Sequence, residues 1–146
     1  YAQSIYDGRL RCVCRTHERL RQFRVGERRN HTRTPDVVVA DKAREQRNQQ
    51  HQVLNPLLLV EVLSKSTAAK DKSDKLEEYQ TIESSQDYVI IWQDTPKAVV
   101  YRKISPNKWE QEILTGPEAI LTLQTLAVSV PLKYLYAGVD FSETEK

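Results

Sequence analysis

The chain has 146 residues, of which 39% are hydrophobic and 29% are charged, and its formal net charge is +2 at pH 7. This length suits one globular domain, and no apolar run approaches the ~20 residues that a bilayer crossing needs, which excludes a membrane-spanning helix. The N-terminus has no apolar core of the signal-peptide kind, so we expect a cytoplasmic protein without a membrane partner.

The first 35 residues differ in composition from the rest of the chain. They carry nine Arg and no Lys against three acidic residues, a net charge of +6, whereas the remainder holds ten Lys and three Arg and sums to −4. Guanidinium groups bind phosphate through paired hydrogen bonds, so one interpretation is an arm that contacts nucleic acid; a solvated, poorly ordered segment is the alternative. We predict an Arg-rich segment at 1–33, a core domain at 34–138 and an acidic tail at 139–146.

Two cysteines and two histidines lie in the Arg-rich segment. Cys12 and Cys14 are only two residues apart, which disfavours a mutual disulfide, so we interpret them as reduced thiols. With His17 and His31 they give the spacing C-x-C-x2-H-x13-H, which matches no common zinc finger. The segment therefore predicts no zinc site, and only residues 10–15 favour a strand.

The strand signal becomes clear after this segment. Pro35 precedes a β-branched run, and proline fits the first position of a strand, so we predict a strand over Asp36–Ala40. The polar, Gln-rich residues 41–55 predict a surface connection. The run Leu57–Leu63 is too short for an ordinary helix and apolar on both alternating faces, which predicts a central strand covered on both sides.

One acidic side chain interrupts the predicted central strand. Glu61 is flanked by valines and leucines, and an ionised carboxylate is almost never buried unless it is paired or bound to a metal. We therefore interpret Glu61 as a site residue. The alternative is a neutral core acid, or one paired with Arg33 or another N-terminal arginine.

After the central strand the apolar period changes from two to 3.6. This period predicts a helix over Ala69–Glu83, on which Lys75 lies on the same side as Tyr79. The hydroxyl residues ahead of this helix are interpreted as capping groups rather than nucleophiles: Ser64, Ser66 and Thr67.

Beyond the helix the sequence predicts a buried strand, an antiparallel meander, two short apolar pieces and a terminal helical turn. In chain order these elements are residues 88–92, 98–103, 109–114, 119–123, 126–130 and 131–136.

Two carboxylates on neighbouring predicted strands and a lysine on the next helix indicate metal-dependent chemistry. Asp36 and Glu61 would converge on one Mg²⁺ or Mn²⁺, since Mg²⁺ takes one or two carboxylates together with water and phosphate oxygens. The ion would polarise a phosphate and activate water, while the ammonium of Lys75 would orient the water or offset developing charge. The structural alternatives are a turn cap for Asp36 and a solvated helix lysine for Lys75.

The order of these motifs resembles a known family. Pro-Asp at 35–36 is followed by Glu-Val-Leu-Ser-Lys-Ser-Thr at 61–67 and by Asp-x-x-x-Lys-x-x-x-Tyr at 71–79. The ordered set, over residues 34–136, is similar to the putative restriction endonuclease family, which is widespread in cyanobacteria and belongs to the PD-(D/E)XK nuclease superfamily. The resemblance implies an α/β fold, with a restriction-endonuclease-like core in which helices flank a mixed β-sheet.

The resemblance also implies an activity, a Mg²⁺-dependent endonuclease acting on DNA, with Asp36 and Glu61 as metal ligands and Lys75 as the catalytic lysine. The superfamily's usual lysine stands two residues after the acid, where this chain has Leu63, and Lys65 is the second candidate. A homodimer is expected by analogy with the superfamily. The Arg-rich segment is unlike the family, so an inactive nuclease-fold module that binds nucleic acid or protein is the alternative.

Overall fold

The computed structural model describes residues 10–14, 23–24, 32–33, 35–49, 53–64 and 70–141. Its elements in chain order are β1 (Leu10–Cys14), β2 (Phe23–Arg24), β3 (Thr32–Arg33), β4 (Val37–Asp41), β5 (Leu58–Leu63), α1 (Lys70–Gln80), β6 (Asp87–Trp92), β7 (Lys97–Ser105), β8 (Lys108–Thr115), β9 (Ile120–Leu123), β10 (Val128–Pro131) and α2 (Leu132–Leu135).

The main element of the fold is a six-stranded mixed sheet in the spatial order β1-β4-β5-β6-β7-β8. Strands β5 and β6 are parallel and are connected through α1, whereas the other neighbours are antiparallel. A parallel pair needs such a long crossover, while the antiparallel strands β6, β7 and β8 follow one another through short turns. The predicted α/β class, the mixed sheet and the meander are confirmed.

The central strand β5 separates two apolar cores. On the face that carries α1, Leu59 and Leu63 pack with Tyr79. On the opposite face, Leu58 packs with Leu132 of α2 and with the hairpin formed by β9 and β10. Both faces of β5 are therefore covered, as the continuous apolar run predicted.

Helix α1 ends at Gln80, three residues before the predicted end. The chain leaves the helix through two tight backbone hydrogen bonds, from Thr81 to Glu78 and from Ile82 to Tyr79, at 3.1 and 3.3 Å. The ammonium of Lys103 on β7 donates to the carbonyls of Ile82 and Glu83, at 3.2 and 2.6 Å, and a cation is favoured at this negative end of the helix dipole.

Buried polar groups attach the β9–β10 hairpin to the sheet. Asp87 is fully buried and accepts hydrogen bonds from the backbone N–H and the hydroxyl of Thr125, both at 2.7 Å. Arg102, which lies opposite Asp87 in the β6–β7 register, donates to the carbonyl of Thr122 at 3.1 Å. These bonds fix the layer that covers the second core.

The N-terminal strand β1 pairs with β4 and forms one edge of the sheet, so the strand predicted over residues 10–15 is present. The arginine side chains of the Arg-rich segment, the two cysteine side chains and residues 142–146 lie outside the described residues, and the boundary at residue 33 stays a prediction. In the part of the chain that the structure describes, neither helix combines the length and apolarity that crossing a bilayer demands.

Candidate active site

Asp36 and Glu61 are brought close together by the register of two strands. Val37 of β4 lies opposite Val60 of β5 in an antiparallel pair, and Asp36 and Glu61 are the next residues along the chain from this pair. The negative charge of Asp36 is near enough to raise the pKa of Glu61. The side chain of Glu61 lies on the face that carries α1. Leu59 and Leu63, two residues before and after Glu61, point to the same face as Glu61 and belong to the core on that side.

The carboxylate of Asp36 is fixed against β5 by a cross-strand hydrogen bond. Its Oδ2 accepts from the backbone N–H of Val62 at 2.8 Å, a contact between residues 26 apart in the chain. A turn cap is the alternative role that the sequence allows for Asp36. A turn cap contacts residues close in the chain, whereas this hydrogen bond joins two strands. It holds Asp36 beside the residue that follows Glu61.

Glu61 is only 5% exposed, and two side chains of α1 contact one of its oxygens. The hydroxyl of Tyr79 donates to Oε1 at 2.8 Å, and Nζ of Lys75 lies 3.5 Å from the same Oε1. Lys75 and Tyr79 are four residues apart, so they project from the same side of the helix. The cation beside Glu61 is therefore a lysine, while the side chain of Arg33, the alternative partner, lies outside the described residues.

The negative charge of Glu61 is only partly balanced by the groups around it. Burial raises the pKa of Glu61 above its ordinary value of 4.5, and the negative charge of Asp36 raises this pKa further. The hydrogen bond from Tyr79 and the charge of Lys75 lower it, without cancelling the effect of burial. A divalent cation between the two carboxylates would supply the missing positive charge.

Two carboxylates are the oxygen donors with which Mg²⁺ or Mn²⁺ would be compatible. Within the described stretches, no three His, Cys, Asp or Glu side chains come together to hold a metal. Mg²⁺ is commonly coordinated by one or two carboxylates together with water and substrate oxygens. Tyr79 and Lys75 both contact Oε1, so Oε2 is the oxygen that these contacts leave for a cation.

We expect Glu61→Gln to raise the free energy of unfolding at pH 7 when divalent cations are absent. Because the pKa of Glu61 is raised in the fold, the folded chain holds this proton up to a higher pH than the unfolded chain does. Stability is therefore lost as the pH rises from the ordinary value of 4.5 through the folded pKa, and regained on acidification. Glutamine resembles the neutral acid and avoids this loss.

Urea unfolding in EDTA at a series of pH values measures the effect. The stability difference between Glu61→Gln and the wild type is expected to shrink as the pH falls toward 4.5. Glu110→Gln, which changes an exposed residue of β8, is the control variant. A difference for Glu61→Gln that is constant across this range would contradict the assignment of the pKa shift.

The structure describes one of the two candidate lysines. Lys75 lies against Glu61, whereas Lys65 falls outside the described residues. Leu63, at the superfamily's usual lysine position, is 7% exposed and belongs to the core beneath α1. Sequence reasoning missed the hydroxyl of Tyr79 as a site group, although Tyr79 ends the Asp-x-x-x-Lys-x-x-x-Tyr motif and stands at i, i+4 from Lys75.

Several known proteins are similar to this chain. A family model described as a putative restriction endonuclease matches residues 9–133, including β1. An uncharacterized Synechocystis protein is 38% identical over 86 residues, which are 58% of this chain and 49% of that protein. A second is 29% identical over 109 residues, 73% of this chain and 55% of that protein. The chain therefore spans about half the length of these curated relatives.

A solved structure shares the fold. The crystal structure of a putative nuclease from Anabaena variabilis matches with a TM-score of 0.63 at 20% identity. The match covers 88% of this chain and 69% of that one. At this level of identity the likeness shows the fold alone, a nuclease-like α/β core.

Proposed function

The chain belongs to the putative restriction endonuclease family, and on this premise we propose that it is a metal-dependent endonuclease that hydrolyses DNA phosphodiester bonds. The family and the nuclease-like fold support a nuclease-like function on nucleic acid. The observation that carries the finer proposal is the convergence of three groups. Asp36 lies close enough to Glu61 for its charge to raise the pKa of Glu61, and the ammonium of Lys75 lies 3.5 Å from Oε1 of Glu61.

The two carboxylates are proposed to hold Mg²⁺ or Mn²⁺. When bound, such an ion polarises a scissile phosphate and lowers the pKa of coordinated water. Glu61 must be ionised to act as a ligand, and its burial makes its charge act in a medium of low dielectric constant, where electrostatic interactions are strong. Asp36 is only half-buried and would complete the ligand pair at the more open side of the site.

Lys75 is proposed to act on the substrate. Its side chain is 19% exposed, so the ammonium lies at the boundary between the buried Glu61 and solvent. A cation in this position can orient an attacking water or offset the negative charge that develops on the phosphate oxygens.

Two measurements on the purified chain test the proposal. Supercoiled plasmid should be nicked or linearised with Mg²⁺ or Mn²⁺ and remain intact with EDTA. Isothermal titration with Mn²⁺ should give binding heat for the wild type and none for Glu61→Ala, while Glu110→Gln, prepared in parallel, should match the wild type in both assays.

The other outcomes separate the alternatives. Absence of heat in both the wild type and Glu61→Ala, with salt-dependent DNA binding retained, would favour the inactive nuclease-fold module. Metal-dependent cleavage of RNA but not of DNA would contradict the proposal that DNA is the substrate. Homodimer formation and a cytoplasmic location stay predictions.

A further inference from the structure

We propose that Tyr79 is a positioning residue for the metal-binding carboxylate. Its hydroxyl holds Oε1 of Glu61, so that Oε2 would remain for a divalent cation that Glu61 and Asp36 would hold. This inference rests on the proposed function, because it assigns a further residue to the same site. Tyr79 would touch neither the cation nor the substrate and would act through Glu61.

The hydrogen bond from Tyr79 has the properties of an orienting contact. The tyrosine is fully buried, at 0% exposure, and its hydroxyl donates to Oε1 at 2.8 Å. A bond to a carboxylate is stronger than one between neutral groups, and a buried tyrosine hydroxyl needs such a partner. Lys75 contacts the same oxygen at 3.5 Å but on a long, flexible side chain. The hydroxyl of Tyr79 therefore orients the carboxylate of Glu61, while Lys75 contributes a positive charge beside it.

The ring of Tyr79 is held by two further aromatic residues. It meets Tyr88 edge-on, with ring centroids 4.8 Å apart and an interplanar angle of 83°. Tyr88 in turn stacks on Tyr101 at 5.8 Å and 17°, and these two residues lie opposite each other in the β6–β7 register. We call these three residues the aromatic ladder. The ladder fixes the hydroxyl relative to the same sheet that carries Glu61.

The positioning role can be separated from a packing role, because packing needs the ring and positioning needs the hydroxyl. Tyr79→Phe keeps the ring in the aromatic ladder and removes only the donor. Tyr101→Phe is the matched control, since it removes a hydroxyl from the same ladder. The hydroxyl of Tyr101 accepts from Nε2 of Gln111 at 3.4 Å. Tyr101 is at the end of the aromatic ladder opposite to Tyr79.

Titration of each protein with Mn²⁺ in the absence of DNA gives the first readout. Partners that orient a metal ligand typically change metal affinity by 10–100-fold, so we expect the Mn²⁺ dissociation constant of Tyr79→Phe to rise roughly 10-fold. The cleavage rate at saturating Mn²⁺ should stay close to that of the wild type. Tyr101→Phe should match the wild type in both measurements.

A pair of unnatural variants keeps the test valid if Tyr79→Phe does not fold. Replacing Tyr79 with 4-aminophenylalanine or with 4-methylphenylalanine fills a similar volume with and without a donor. The amino variant should bind Mn²⁺ more tightly than the methyl variant. Equal affinity in this pair would overturn the positioning role.

The remaining outcomes distinguish this inference from the proposed function. If the wild type and Tyr79→Phe bind Mn²⁺ equally tightly, the positioning role is wrong and the proposed function stands. If Tyr101→Phe weakens binding as much as Tyr79→Phe does, the effect comes from loosened packing, which also overturns the inference. If the wild type binds no Mn²⁺, the proposed function itself fails.

Discussion

Glu61→Gln is expected to lower the rate of metal-dependent DNA cleavage by about 10³-fold or more, a loss at the upper end of what one electrostatic group contributes. The substitution keeps the size of the side chain and an oxygen that can accept the hydrogen bond from Tyr79. It removes the charge, however, and leaves Asp36 as the single anionic ligand of the pair. A weaker hold on the cation and a weaker field at the phosphate should both follow.

The same variant should gain stability while it loses activity. Burial of the Glu61 carboxylate raises its pKa, so the ionised group disfavours the metal-free fold at neutral pH. An inactive Glu61→Gln that unfolds at higher urea than the wild type would show that the carboxylate serves chemistry rather than structure. Plasmid cleavage time courses under single-turnover conditions measure the rate, with Glu110→Gln as the control.

Cleavage by Glu61→Gln at the wild-type rate would exclude Glu61 as a required ligand. A loss of activity that is accompanied by a lower free energy of unfolding would instead indicate a damaged fold. The combination of rate and stability is therefore the informative result, since each measurement alone has more than one explanation.

Local patterns predicted most elements of this fold and the antiparallel meander of β6, β7 and β8, but not the pairing of β4 with β5. The short apolar run around Glu61 and the proline before Asp36 were enough to place two strands. That Asp36 lies opposite Glu61 depends on the register of β4 and β5. The polar connection between these strands, residues 41–55, carries no signal for that register. Its residue Val53, at 1% exposure, also joins the core, which composition did not predict.

Contacts between distant residues explain what else was not predicted. Helical periodicity extended the predicted helix to residue 83, but α1 ends at Gln80, and Lys103 of β7 binds the carbonyls of Ile82 and Glu83 beyond it. The same periodicity placed Tyr79 on the packed side of the helix without indicating that its hydroxyl reaches Glu61. A 3.6-residue period gives the direction of a side chain from its own helix, whereas its partners come from tertiary structure.

Lys75→Met is expected to separate metal binding from catalysis, with Mn²⁺ bound severalfold more tightly and DNA cleaved about 10²-fold more slowly. The ammonium lies 3.5 Å from Oε1 of Glu61, so it competes with a divalent cation for this charge and repels the ion. Its removal therefore favours metal binding. The substrate meanwhile loses the cation that would offset charge developing on the phosphate.

Lys75→Met and Tyr79→Phe are expected to change Mn²⁺ affinity in opposite directions, although both side chains contact the same oxygen of Glu61. Loss of the hydroxyl should weaken Mn²⁺ binding and spare the rate at saturating metal, whereas loss of the ammonium should strengthen binding and reduce that rate. Calorimetry with Mn²⁺ and cleavage at saturating Mn²⁺ measure the two effects, and Lys108→Met, at an exposed position of β8, is the control. Wild-type cleavage by Lys75→Met would exclude it as the catalytic lysine and transfer the role to Lys65, the other candidate that the family resemblance allows.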